Sequence, residues 1–391
     1  MLIDQENILR FKEVHTPFYF YNTALLKETL QKIKKEISAH KNYIVHYAIK
    51  ANANPKLLRL IAQAGFGADC VSGGEIQRAL DTGFPASKIV FAGVGKSDWE
   101  INLGLDNDIF CFNVESEPEL EVINELAKAK GKIASVAFRI NPNIGAHTHA
   151  NITTGLAENK FGIAMKDMEH IIQKAEQLCH IRVLGLHFHI GSQILEMDDF
   201  IALCQRINQL IEQLKQNHHQ LKHINVGGGL GINYEQPDKH PIPNFSSYFN
   251  TYAKYLNLSD EQQLHFELGR AVVGQCGSLI TRVLYVKQGA TKQFIIVDAG
   301  MTDLIRPALY QAQHQIENLN SREVLEKYDV VGPICESSDV FAKDILLPKT
   351  HRGDLIALHS AGAYGEIMAS QYNCRALPQS YTSEELSDIK S

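Results

Sequence analysis

Residues 43–64 read YIVHYAIKANANPKLLRLIAQA. An apolar, β-branched and aromatic run reaches a lysine at position 50 and breaks at Ala-Asn-Ala-Asn-Pro. Leu57, Leu58 and Ile61 then recur at helical spacing. This predicts a buried strand that ends on Lys50, a break at Ala-Asn-Ala-Asn-Pro and a helix after the proline. A charge at a strand end is ordinarily a solvated one. Only the rest of the chain can show whether Lys50 is more than that.

The same unit recurs. Apolar runs follow at FGADCVS (66–72), KIVFAG (88–93), IFCFNV (109–114), ASVAFRI (134–140), VLGLHFHIG (183–191), HINVGGG (223–229) and LHFELGR (264–270). Helical patterns such as EIQRALDT and EPELEVINELAKA lie between most of them. Near-continuous apolar strands alternating with helices indicate a parallel sheet covered on both faces. Eight such units over roughly 225 residues predict a (β/α)8 barrel of the TIM type, about 250 residues in its usual form.

The chain has 391 residues, 45% of them hydrophobic and 21% charged, an ordinary globular composition. A net charge of −6 argues against a nucleic-acid partner, which selects for a basic face. No apolar run reaches membrane-spanning length, and the first residues, MLIDQENILRFKEVHTPFYF, lack the pattern of a signal peptide. The seven cysteines are scattered with no CxxC pair, which points to reduced thiols and a cytoplasmic setting.

Active sites of such barrels sit at the C-terminal ends of the strands. Those ends carry Lys50, Asp69 with Ser72, Gly93, Asn113, Arg139, His189 with Ser192, Gly227-Gly228-Gly229, and Glu267 with Arg270. Two histidine pairs, His147/His149 and His187/His189, offer imidazoles two residues apart, as a zinc site can use. No third ligand follows at a recognisable spacing, so no metal is expected. The NVGGGLG turn after a late strand suits phosphate, because glycines let backbone N–H groups come close. On its own the triplet is equally a tight turn. It lacks both the GK[ST] ending of a P-loop and the dinucleotide spacing. A strand-end lysine, a phosphate cradle, a flat imidazole and a carboxylate together meet the demands of pyridoxal 5′-phosphate.

After residue 275 the texture changes. SLITRVLYVKQGATKQFIIVDAG alternates apolar and polar residues around a turn, and YDVVGPICESSDVFA and GDLIALHSAGAYG add short β-like runs. We expect a barrel over 25–270 and a mostly β domain over 271–391. The strand-like TPFYFYN within residues 1–24 is expected to join the latter.

The chain resembles the alanine-racemase-like, barrel-type pyridoxal phosphate enzymes, specifically the diaminopimelate decarboxylases. YAIKANANP, GADCVSGGE, RINPN, GLHFHIGSQ, NVGGGLG and ELGR carry the barrel part of the likeness. HTHANITTGLAENKFG, DAGMTDLIRPALYQAQH, GPICESSDVFAKD and GAYG extend it almost end to end. The resemblance implies that Lys50 binds the cofactor covalently, with Asp69 and Arg139 near it, and that His189 stacks on the ring. Ser192, Gly227, Gly228, Gly229, Gly269 and Arg270 would hold the phosphate, and Glu267 would pair with the ring nitrogen. Arg306, Tyr310, Glu336 and Tyr364, with Arg270, would grip the substrate, and Tyr364 would also lie near the phosphate. Cys335 would be the catalytic acid, supplied with Glu336 across a homodimer interface into shared active sites. The implied reaction is decarboxylation of meso-2,6-diaminopimelate to L-lysine.

Two other readings stay open. Polyamine-pathway decarboxylases share the lysine, histidine, glycine and glutamate motifs, but their substrates lack a distal carboxylate and give Arg306 nothing to bind. Single-domain barrels that only handle the cofactor lack the β domain. One departure from the family concerns the end of the chain. LPQSYTSEELSDIKS follows GAYG closely, without the longer strand-like tail of many relatives, which leaves the last edge of the β domain open.

Overall fold

The computed structural model describes residues 3–144, 160–219 and 221–388. The chain divides into two compact units. One comprises Leu30–Gly231 and Asn244–Gly269; the other comprises Met1–Thr29, Ile232–Pro243 and Arg270–Ser391. The span expected for the barrel is therefore interrupted, because Ile232–Pro243 groups with the β-rich unit.

Strand β1 (Phe18–Tyr21) belongs to the β-rich unit. The strands of the other unit are β2 (Tyr43–Ala48), β3 (Gly67–Cys70), β4 (Ile89–Phe91), β5 (Cys111–Val114), β6 (Ala134–Asn141), β7 (Ile163–Ala164), β8 (Ile181–His187), β9 (His223–Asn225) and β10 (Gln263–Leu268). Among the described residues, eight of these form a closed parallel ring in the order β2-β3-β4-β5-β6-β8-β9-β10, and β10 pairs back to β2. The two-residue β7 adds only to the end of β6. This is a (β/α)8 barrel, each strand matching one of the eight apolar runs.

The local chemistry of residues 43–64 explains its own break. The strand stops at Ala48, two residues earlier than the apolar run, because Ile49–Ala51 forms a single 3-10 turn closed by the Asn52 amide on the Ile49 carbonyl. Lys50 thus leaves the ladder. The Asn52 side chain accepts from the Asn54 amide at 2.9 Å, and Asn54 caps the helix Pro55–Gln63 by accepting from the Lys56 amide at 3.0 Å. Proline then opens a helix where no N–H is needed.

Outward residues of the strands pack on helices. Phe266 meets Phe249, Tyr252 and Tyr248 of the helix Phe245–Tyr255 at ring separations of 5.0, 5.2 and 5.7 Å. Inward residues are unusually polar. At the N-terminal end of the barrel His46, His223 and His265 are all buried, beside the Phe110 ring. His46 Nδ1 faces the Lys88 carbonyl at 3.1 Å and must carry the proton, so its Nε2 accepts from His265 Nδ1 at 2.9 Å. Burial keeps these imidazoles neutral, with His46 lowered to about 4 and His223 to about 3.

In the β-rich unit follow β11 (Gly277–Gln288), β12 (Gln293–Val297), β13 (Ile316–Asn318), β14 (Leu325–Val331), β15 (Val340–Pro348), β16 (Leu355–Leu358) and β17 (Gln379–Thr382). The long β11 pairs with β1 and β16 along its first half and with β12 along its second. The tail supplies the edge left open by the sequence: β17 pairs in parallel with β1. Phe11, Phe18, Phe20, Ile280, Leu355 and Leu386 form the core beneath. Each such aromatic contributes about 1.5–3 kcal/mol by leaving water.

Candidate active site

The C-terminal rim of the barrel gathers the expected residues of the first unit. Lys50 Nζ lies 3.8 Å from the carboxylate of the buried Asp69, neither of whose oxygens has a hydrogen-bond partner among the described residues. Burial, then the charge of Glu267, raises the Asp69 pKa well above the usual range, and Lys50 works against them. Glu267 differs because it is fully solvated by protein donors. Asn225 and Asn113 donate to one oxygen at 2.7 and 3.2 Å, and His187 Nε2 donates to the other at 2.9 Å. Burial opposes ionisation, but His187 and the Lys50 charge outweigh it and hold this carboxyl far below its ordinary value. Two buried carboxyls are thereby driven apart in protonation.

His189 is half-buried, and its Nδ1 accepts from the Gly228 amide at 3.4 Å. Burial and the nearby Lys50 and Arg139 charges lower its pKa well below 6.5, so it presents a neutral, flat ring. Gly227 and Gly229 have φ of +69° and +103°. A Cβ on Gly228 would collide with the Glu267 carbonyl, and one on Gly227 with the Phe188 carbonyl. The triplet must be glycine for the chain to pass this close to His189 and Glu267. Such a turn can also approach a phosphate. Ser192 lies half-buried just beyond His189. Arg139 bonds Glu115 at 2.9 Å and stacks over Phe161 at 4.6 Å, and Glu115 also receives the amides of Gly93 and Gly162. This ties three strand ends together.

A second set lies in the β-rich unit. Arg270 follows the half-buried Gly269, donates to the Tyr234 hydroxyl at 2.6 Å and lies 4.8 Å over the Tyr364 ring. Tyr364 has φ of +56°, and its neighbours explain the motif, since a Cβ on Gly362 or Gly365 would meet the backbone of Val273 or Ala361. Arg306 opens the short helix Arg306–Tyr310, is buried, lies 4.8 Å over the Tyr234 ring and donates to His314 Nε2 at 3.1 Å. Its Nε is buried without a partner, and among the described residues no carboxylate lies within 4.0 Å of it. Tyr310 is half-buried at the helix end.

Cys335 and Glu336 sit between β14 and β15 and are both exposed. Asp339 organises this loop, accepting the Ile334 amide at 2.7 Å and the Met301 amide at 2.6 Å. The Cys335 amide bonds Asn373 at 3.1 Å, and Glu336 accepts from Tyr372 at 2.6 Å. Among the described residues no hydrogen bond joins either to the arginine cluster.

The sequence matches the family model "Pyridoxal-dependent decarboxylase, pyridoxal binding domain" over residues 23–274. A diaminopimelate decarboxylase of Bacteroides thetaiotaomicron is 67% identical over 377 residues, covering 96% of this chain and 98% of that protein. The chain belongs to the diaminopimelate decarboxylase family. A crystal structure of the Helicobacter pylori diaminopimelate decarboxylase complexed with L-lysine is 41% identical with a TM-score of 0.90, over 95% of this chain and 92% of that one. The lysine/ornithine decarboxylase of Vibrio vulnificus, complexed with putrescine, is 22% identical with a TM-score of 0.84, over 98% and 99% of the two chains, and shares the fold.

Other residues given no role by the sequence lie around the expected ones: Asn225 and His187 bond Glu267, and Tyr234 and His314 frame Arg306; of these only Tyr234 falls outside the quoted motifs. His187 carried a signal, the HFH pair, which the sequence leaves without a third metal ligand and without any other role. Instead it bonds Glu267, and among the described residues no cluster of His, Cys, Asp and Glu can hold a metal ion. His147 and His149 lie outside the described residues.

Proposed function

We propose that the chain catalyses the pyridoxal 5′-phosphate-dependent decarboxylation of meso-2,6-diaminopimelate to L-lysine and CO2, the last step of lysine biosynthesis by that route. The observation that carries the substrate is Arg306, a buried guanidinium that has, among the described residues, an unpartnered Nε and no carboxylate within 4.0 Å. Such a charge is costly to bury alone, and a substrate carboxylate satisfies it. Ornithine and related amines have no distal carboxylate to offer.

The residues fit the cofactor on three counts: an orphaned buried carboxylate at Asp69 beside Lys50, a glycine cradle that any Cβ would fill, and an ionised Glu267. Bound at Lys50, pyridoxal phosphate supplies an electron sink for the carbon that loses CO2. Glu267 keeps a proton on the ring nitrogen by remaining negative. The neutral imidazole of His189 would lie against the cofactor and keep water from it. The amides of Gly227 to Gly229, with Ser192, Gly269, Arg270 and Tyr364, would hold the phosphate, Arg270 supplying the positive charge. Arg306, Tyr310 and Glu336 bind the unreacting amino-acid end, and Cys335 delivers a proton to the carbon that has lost CO2.

We further infer a homodimer in which Cys335 and Glu336 serve the active site of the partner subunit. Their exposure and the family likeness support this reading. A cytoplasmic location rests on the free thiols; no helix among the described residues is long and apolar enough to cross a membrane. The test is CO2 release from meso-, LL- and DD-diaminopimelate, L-lysine and L-ornithine. Turnover confined to the meso isomer supports the assignment, and preferential turnover of ornithine overturns it.

A further inference from the structure

We propose that His314 is a positioning residue for substrate specificity, which fixes Arg306 to face the distal carboxylate while leaving its charge uncompensated. This rests on the reading that Arg306 binds that carboxylate.

His314 is buried, and its Nδ1 lies 2.8 Å from the carbonyl of His359. A carbonyl only accepts, so Nδ1 carries the proton, and Nε2 of the neutral ring has a lone pair. That lone pair faces Nη1 of Arg306 at 3.1 Å. Burial and the Arg306 charge lower the His314 pKa to about 3, so the acceptor persists at any working pH.

The anchor is rigid. β13 pairs with β16 with Ile316 opposite Leu358, so His314 and His359 flank the same ladder. The His359 amide bonds the Gln315 carbonyl at 2.9 Å, and its ring meets Glu317 at 3.0 Å and Ser278 at 3.3 Å. Tyr234 completes the frame, edge-on to His314 with ring centroids 5.2 Å apart and 4.8 Å beneath Arg306. The guanidinium is therefore held in plane and from one face.

The choice of a neutral acceptor matters. A carboxylate here would also orient Arg306, but it would pair with the charge and compete with the substrate. An imidazole held in one tautomer orients without neutralising, and Nε is left unpartnered.

Two substitutions separate the roles of the ring. His314→Gln places an acceptor near the Nε2 position, and His314→Asn keeps a donor near Nδ1 but loses that acceptor. We expect His314→Asn to raise KM for meso-diaminopimelate about tenfold with kcat within about threefold, and His314→Gln to stay within about threefold in both. Competitive inhibition by L-lysine, which keeps the distal carboxylate, weakens in proportion to KM. In the Arg306→Lys background the Asn substitution adds little, because its partner is already gone. Thermal melts with cofactor bound check folding.

Equal losses in kcat for both variants, or an unchanged KM in His314→Asn, overturn the proposal. If Arg306→Lys alone leaves KM unchanged, the reading of Arg306 fails instead. A raised KM in Arg306→Lys with a normal KM in His314→Asn sinks the role of His314 only.

Discussion

One oxygen of Glu267 accepts Nε2–H of His187 at 2.9 Å, while the Asn225 amide meets the other at 2.7 Å. Three donors, counting Asn113, hold a buried carboxylate ionised inside the barrel. This is the arrangement needed to keep a proton on an apposed ring nitrogen.

Glu267→Gln should therefore retain cofactor but lose turnover by about a hundredfold or more, since the interaction strengthens in the transition state. Steady-state kinetics with the bound cofactor quantified by absorbance decides it. A rate within a few-fold of wild type would make this carboxylate structural.

Arg306→Lys keeps the charge but loses the planar, paired donors. KM for diaminopimelate should rise about ten- to two-hundred-fold, the equivalent of one charge-assisted hydrogen bond. Unchanged binding of diaminopimelate would favour a polyamine-type substrate.

The buried histidines predict a pH dependence of stability. His223 titrates at about 3 when folded, against about 6.5 when unfolded. The unfolded chain binds the proton first, so the stability from a neutral His223 is complete above about pH 6.5 and is lost as pH falls toward 3. At pH 5 the loss is about 2 kcal/mol. Asp69 and Glu119, whose pKa values are raised, act in the opposite sense, so the variant-to-wild-type difference is the readout. His223→Leu should recover about 2 kcal/mol relative to wild type between pH 8 and pH 5 in urea unfolding. A difference independent of pH would show that folding does not lower the His223 pKa.

The parts legible in sequence were those with a local signature. Eight apolar runs announced the barrel, and the first of them announced Lys50 at a strand end, although the 3-10 turn that takes it out of the ladder carried no mark of its own. Gly228 was visible as part of a triplet, although the reason it must be glycine, the Glu267 carbonyl against it, is a contact 39 residues away. Tyr234 was not legible. It lies on Ile232–Pro243, a detour out of the barrel with no periodic pattern. His314 was visible as the last residue of DAGMTDLIRPALYQAQH, but its meaning depends on the carbonyl of His359 across a sheet pairing. The inward histidines also escaped notice, since a period-two strand buried on both faces shows no contrast between His265 and its apolar neighbours.

Cys335 is exposed in a loop of the β-rich unit, and the shared-site proposal assigns it to the partner's cofactor. Lys50→Ala and Cys335→Ala chains should each be nearly inactive, yet mixing with proven subunit exchange should restore activity. Equal amounts re-paired at random give half hybrids, each with one intact site, or about a quarter of wild-type activity. No recovery after exchange would place both residues in one chain's site.

The central claim is that Lys50 is the covalent attachment point of the cofactor, and borohydride reduction followed by peptide mapping tests it most directly. Reduction should fix one pyridoxyl group per chain on the peptide carrying Lys50 and abolish turnover. A reduced adduct on any other lysine, or none on Lys50 in active protein, would contradict the account.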